Sequence, residues 1–171
     1  MARICVRCKR QLQPQEEYRT EKIITQGLCT LCTKQFIHDV PETIREVLNN
    51  ISEPVLIIDS RGIVMTANDG GMRLLGKGRS EIEGNLGGDV FCCAFASLPE
   101  GCGRTDHCRT CAIRNIVMDT LVRGIGYSNV PAFQNIRTPH GERIMRFHVS
   151  TEKVEDQILL RIDNVMERVT V

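Results

Sequence analysis

Apolar residues at Val40, Ile44, Val47, Leu48 and Ile51 recur at helical spacing, opposite Glu42, Arg45, Glu46 and Asn49, which predicts an amphipathic helix over residues 39–53. Asp39 can cap it, Pro41 is tolerated in its first turn, and Glu53-Pro54 marks its end. The pattern then changes period. VLIID and IVMTAN, joined by Ser60-Arg61-Gly62, read as two short strands around a tight turn. A helix follows from Asp69, with Met72, Leu74 and Leu75 as its buried side and Gly76 and Gly78 as its stop. Residues 79–111 are rich in Gly, Asp and Cys and read as irregular, with short helical turns at most around Arg79 to Glu83. Within them Gly87-Gly88-Asp89-Val90-Phe91 reads as a loop. A helix from Ala112 to Arg123 presents Ile113, Ile116, Val117 and Leu121 on one face and stops at Gly124. Three strands over residues 127–137, 142–151 and 157–165 complete the chain.

This order of strands and helices predicts an α+β domain, an antiparallel sheet with helices gathered on one face. Composition agrees with a folded chain: 171 residues, 42% hydrophobic and 25% charged. No apolar run approaches the ~18 residues of a bilayer span, and the start MARICVRCKRQ lacks the apolar stretch of a secretory signal. A cytoplasmic location is therefore expected. In a reducing compartment, nine cysteines point to metal or redox chemistry rather than structural disulfides. They form two groups, Cys5, Cys8, Cys29 and Cys32, then Cys92, Cys93, Cys102, Cys108 and Cys111. Charge is divided as well, with net +4 over residues 1–38 and −3 over the rest.

The run EPVLIIDSRGIVMTANDGGMRLLGKGRSEIEG, in which Asp59, Gly62, Asn68 and Gly76 stand together, resembles the opening of PAS sensor domains. LLRIDNVMER resembles the last PAS strand. The resemblance covers about residues 40–168 and implies a five-stranded antiparallel sheet with helices forming a pocket over one face. It also implies a sensory or interaction module rather than an enzyme. The chain divides accordingly: a small zinc-ribbon-like module over residues 1–38, the linker helix over 39–53, and a PAS domain over 54–171 with a Cys-rich insertion at 90–111.

In the first group, Cys5-x2-Cys8 and Cys29-x2-Cys32 each place two thiolates on one side of a tight turn, so four sulfurs can close a tetrahedron around Zn2+. Tyr18 and Phe36 are the aromatics of these 38 residues, too few for a core, and metal would substitute for the missing burial. Arg3, Arg7, Lys9 and Arg10 suggest phosphate contacts. Four thiolates on zinc would leave the module at only about +2, however, so nucleic acid is a possible but not the favoured partner.

In the second group, Cys102-x5-Cys108-x2-Cys111 lies one residue from the plant-ferredoxin spacing, with a fourth sulfur upstream at Cys92 or Cys93. Gly101 and Gly103 let backbone wrap a bulky centre. Cys111 opens a helix, and Arg104, His107, Arg109 and Arg114 add positive charge, which should favour thiolates. His107 reads as a neighbour rather than a ligand. One or two of these thiols could serve as small core residues, but five among glycines and charges are poorly placed for packing. The stretch is similar to a cysteine-containing subgroup of bacterial PAS sensors, reading Gly-Cys-x-x-Ala, then Gly-Cys-Gly, then Cys-x-x-Cys. Cys93, Ala96, Cys102, Cys108 and Cys111 fall on that pattern, and Cys92 stands where it has glycine. The resemblance implies a centre at Cys93, Cys102, Cys108 and Cys111, with an iron–sulfur cluster, zinc or a metal-free thiol switch as its devices and the cluster favoured, while the cysteine at the glycine position leaves the fourth ligand open between Cys92 and Cys93.

A cytoplasmic redox or oxygen-type sensor acting through protein contacts follows, self-associating as a homodimer through the linker helix, since no effector domain follows the last strand. The alternatives are a nucleic-acid-associated regulator and a Cys-x2-Cys dithiol oxidoreductase, the latter disfavoured by a strand order unlike thioredoxin.

Overall fold

The computed structural model describes residues 42–167. The linker helix, α1, is described over Glu42–Asn49 and ends earlier than its apolar pattern predicts. Tight turns from Asn50 to Val47 and from Ile51 to Leu48 close it before Pro54. Its orientation also differs from expectation. Leu48 is buried, whereas Ile44 and Val47 are 45% and 63% exposed and Arg45 is buried. Arg45 turns inward because Glu83 waits there, its carboxylate 3.3 Å from Nη2 and also accepting from Thr66 Oγ1 at 2.8 Å. A buried charge needs such a partner.

Strands β1 (Val55–Ile58) and β2 (Val64–Ala67) form the predicted hairpin. Asp59 builds the turn, its Oδ1 accepting from the amides of Arg61 and Ile63 at 2.9 and 3.0 Å. Gly62 takes the left-handed φ of +80° that the reversal requires. Helix α2 (Asp69–Leu75) begins at Asn68, whose Oδ1 caps it by accepting from Gly71 N at 2.8 Å. It ends at left-handed Gly76. Met72 and Leu75 pack on the core, while Leu74 is 39% exposed rather than buried.

Short turns α3 (Arg79–Ile82) and α4 (Gly87–Val90) follow. The Gly87 to Phe91 stretch is thus a helical turn rather than a loop, driven by burial of Val90 and Phe91. Two 3₁₀ turns, Ala94–Ser97 and Asp106–Thr110, flank the segment that carries Cys102. Helix α5 (Ala112–Arg123) then buries Ile113, Ile116 and Val117. Strands β3 (Tyr127–Thr138), β4 (Gly141–Val154) and β5 (Gln157–Glu167) complete a five-stranded antiparallel sheet in the order β2-β1-β5-β4-β3.

Side-chain alternation divides the sheet into two faces. Leu56, Ile58, Val64, Phe147, Val149, Ile158, Leu160 and Ile162 pack with α5, Ile82 and Phe91 in the main core. Phe91 meets Phe147 edge to face, centroids 5.6 Å apart. Val55 and Ile57 face the other side, where Leu48 of α1 covers them with Ile51, Met65 and Leu159. The result is the PAS-like α+β architecture that the sequence predicts. Among the described residues no helix is long and apolar enough to cross a membrane. Cys5, Cys8, Cys29 and Cys32, and the zinc module they define, lie outside the described residues.

Candidate metal centre

A cavity of about 620 Å3 opens between the main face of the sheet and the helical segment. Cys93, Cys102, Cys108 and Cys111 all line it, and Cys92 does not. Backbone geometry makes that choice. Cys92 adopts a left-handed φ of +54°, a conformation glycine takes freely and other residues take at a cost. This is the position at which the bacterial PAS pattern has glycine. Its carbonyl accepts from Arg137 N at 2.8 Å, and Cys93 bridges to Ile136, so the segment is pinned to β3. Arg137 also donates to Ala94 O at 3.3 Å and to Ser97 Oγ, holding the following turn against the same strand.

Three of the four thiols face hydrogen-bond donors. Gly88 N donates to Cys102 Sγ at 3.3 Å and Gly103 N to Cys108 Sγ at 3.1 Å. Thr105 Oγ1 lies 3.2 Å from Cys108 Sγ, and Gln134 Nε2 donates to Cys111 Sγ at 3.5 Å. A backbone N–H can only donate, so these sulfurs are placed as acceptors, the role of a thiolate. Gly103, with φ +86°, provides the turn that aims its amide at Cys108.

Burial sets the proton affinities. It pushes the Cys102 thiol up to about 11, against the pull of the Gly88 amide. Burial raises Cys111 as well, opposed by the backbone at Arg114 and Ile113. For Cys108 burial acts in the same direction, but the Thr105 hydroxyl, the Gly103 backbone and the Arg114 charge together hold it below the ordinary thiol value. The expected general depression of these thiols by nearby arginines is therefore met at Cys108 alone of the three. Buried sulfurs that resist ionisation by proton loss to water can still ionise onto a metal, whose charge inverts the local balance.

Among the described residues, no three His, Cys, Asp or Glu side chains are grouped tightly enough to hold a metal ion. A single zinc needs its sulfurs all within about 2.3 Å of one point. Four soft donors line this cavity, and thiolate is the donor for zinc and iron–sulfur clusters alike. His107 lies flat on Phe95, ring centroids 3.8 Å apart and interplanar angle 8°, at the rim of the cavity. Gln134, Thr105 and Gly88 carry no spacing signal of the kind that marks the cysteines. A polar Gln134 at the same parity as buried Ala132 on β3 was a legible sign; the other two needed the fold.

Residues 42–109 match the family model for the PAS domain. No curated protein matches the chain. Among solved structures, a domain of a sensory box sensor histidine kinase/response regulator from Geobacter sulfurreducens is similar at 14% identity and TM-score 0.48, over 72% of this chain and 92% of that one. The PAS domain of the RpfR quorum-sensing receptor from Cronobacter turicensis, solved with BDSF, is similar at 18% identity and TM-score 0.43, over 70% and 96%. The DhaR(N)-DhaL complex from E. coli is similar at 11% identity and TM-score 0.47, over 79% of this chain and 38% of that one.

Proposed function

We propose that the chain is a cytoplasmic, non-enzymatic sensory protein that responds through a cysteine-ligated, redox-active centre and signals by protein contacts. The observation that carries this reading is the gathering of Cys93, Cys102, Cys108 and Cys111 on one cavity of a PAS-like fold. Those four would hold an iron–sulfur cluster, which supplies one-electron redox chemistry. The chain's own groups supply the rest: Gly88, Gly103 and Gln134 direct N–H donors at the ligating sulfurs. Phe91, Ile113 and Val117 keep the inner wall apolar.

Output runs through the elements attached to this segment. The 92–97 stretch is fastened to β3 by Arg137, and α5, which begins at Cys111, is fastened to β4 by the buried Thr120–Thr151 hydroxyl pair at 2.7 Å. Loss or oxidation of the centre would loosen residues 90–111 and shift these attachments. The exposed Ile44 and Val47 of α1 offer the surface for a second copy. Cys5, Cys8, Cys29 and Cys32 would hold structural Zn2+ in the preceding module.

A second reading, a metal-free thiol switch, is favoured by one observation, the lowered Cys108 thiol three residues before the half-buried Cys111. The test of the sensory role is hydrogen exchange and sedimentation on the anaerobic protein before and after air exposure. Faster exchange in residues 90–111 with a change in association state is expected. Identical exchange and association in both states contradict the proposal.

A further inference from the structure

Gln134 is out of place for a sheet core. It stands on β3 facing the cavity, 9% exposed, with buried Ala132 two residues before it. Its Oε1 is buried with no hydrogen-bond partner, a costly arrangement that an apolar residue of similar size would avoid. Its side-chain hydrogen bond among the described residues runs the other way, from Nε2 to Cys111 Sγ at 3.5 Å. The amide thus leaves its oxygen unsatisfied in order to present N–H to a sulfur.

Cys102 receives its donor from the Gly88 backbone, and Cys108 from the Gly103 backbone with the neighbouring Thr105 hydroxyl beside it. Cys111, which the backbone at Arg114 and Ile113 also serves, adds a side-chain donor from across the cavity on β3. We propose that Gln134 is a positioning residue that acts through Cys111: its N–H···S bond raises the reduction potential of what the four thiolates hold. The physical basis is charge. A donor draws negative charge from a ligating sulfur and so favours the reduced form, which carries one more electron. When a low-potential one-electron donor such as dithionite reduces the centre, the electron passes to the metal site. No bond to Gln134 is made or broken. This inference rests on the iron–sulfur reading above.

The test uses the full chain reconstituted anaerobically with ferric iron, sulfide and dithiothreitol, as wild type, Gln134→Leu and Gln134→Glu. Iron and sulfide per chain are measured first, then the midpoint potential by dithionite titration followed by absorption and electron paramagnetic resonance. Equal iron in wild type and Q134L is expected. At the potential where wild type is half reduced, the reduced-to-oxidised ratio of Q134L should be about tenfold lower, a shift of about 59 mV to more negative values for a one-electron couple. Q134E, which swaps the donor for a carboxylate in the same shape, should shift further, and it carries the same reading if Q134L does not fold. Coincident midpoints at equal iron content overturn the role of Gln134. A wild-type chain that takes up neither iron nor sulfide overturns the iron–sulfur reading itself, and the inference falls with it.

Discussion

Gly88 and Cys102 are fitted to one another: the Gly88 amide donates to Cys102 Sγ at 3.3 Å, and a Cβ at Gly88 would lie 2.6 Å from that sulfur. It would also lie 2.9 Å from Cys102 Cβ and 3.1 Å from Ala96 Cβ, so the obstruction cannot be relieved by turning one flexible group. Gly88→Ala is therefore expected to push Cys102 off the cavity wall. Stability should fall by about 1–3 kcal/mol, as overpacking usually costs, and metal content should drop severalfold. Urea unfolding with metal analysis checks both, and an alanine variant with wild-type metal content would count against Cys102 as a ligand.

Cys92 and Cys93 are adjacent but not equivalent. Cys92→Gly should retain all metal and leave stability unchanged or raised by about 1 kcal/mol, because it removes left-handed strain. Cys93→Ser should lose the centre. Metal stoichiometry of the two purified variants decides this, and loss of metal from the Cys92 variant instead would reverse the assignment.

Asn68, 1% exposed, joins three elements. Its Oδ1 accepts from Val55 N and Gly71 N, and its Nδ2 donates to the carbonyls of Leu48, Ile51 and Glu53. Asn68→Ala removes all five bonds, only Leu48 O keeping its bond from Ile51 N, and should destabilise the domain by about 3 kcal/mol or more. The measurement is denaturant unfolding, and a loss of under about 1 kcal/mol would show that α1 is not held through this residue.

In metal-free protein the thiols should differ in reactivity with pH. With its thiol near 11, Cys102 is ionised to only about one part in a thousand at pH 8, whereas Cys108, held low, is alkylated first. The sign for stability follows. The folded state keeps the Cys102 proton that the unfolded chain, near 9, has released, so this group lowers apo stability as pH rises from about 9 to about 11. Mass mapping of iodoacetamide adducts across pH checks the order, and Cys102 labelling ahead of Cys108 would contradict it.

Val47, 63% exposed on α1, can be replaced by Glu with little effect on folding, within about 0.5 kcal/mol. If α1 is the self-association surface, Val47→Glu should shift the sedimentation equilibrium toward monomer. A wild-type protein that is monomeric in both redox states removes the surface from the account.

Much of the fold was legible because its signals are local. Asp59 and Gly62 fix a turn, Asn68 and Gly76 bracket α2, and the apolar periodicity of α5 placed Ala112–Arg123 to the residue. Orientation was not. Periodicity puts Ile44 and Val47 on an apolar stripe, but which side of α1 meets the sheet depends on Glu83, 38 residues beyond Arg45. Likewise the spacing of Cys102, Cys108 and Cys111 marked a site without ranking their proton affinities, since those depend on burial beneath β3 and α5. The resemblance put Cys93 on its pattern and Cys92 at its glycine; that Cys92 takes the left-handed backbone of a glycine is displayed only by the fold.

Iron and acid-labile sulfide, measured on chain purified without exposure to oxygen, bear most directly on the central claim. The account predicts a brown protein with iron and sulfide in equal amounts, visible absorption that dithionite bleaches, and loss of both on replacing Cys93, Cys102, Cys108 or Cys111. Zinc at both cysteine groups with no iron, or no metal held by the second group, would contradict it.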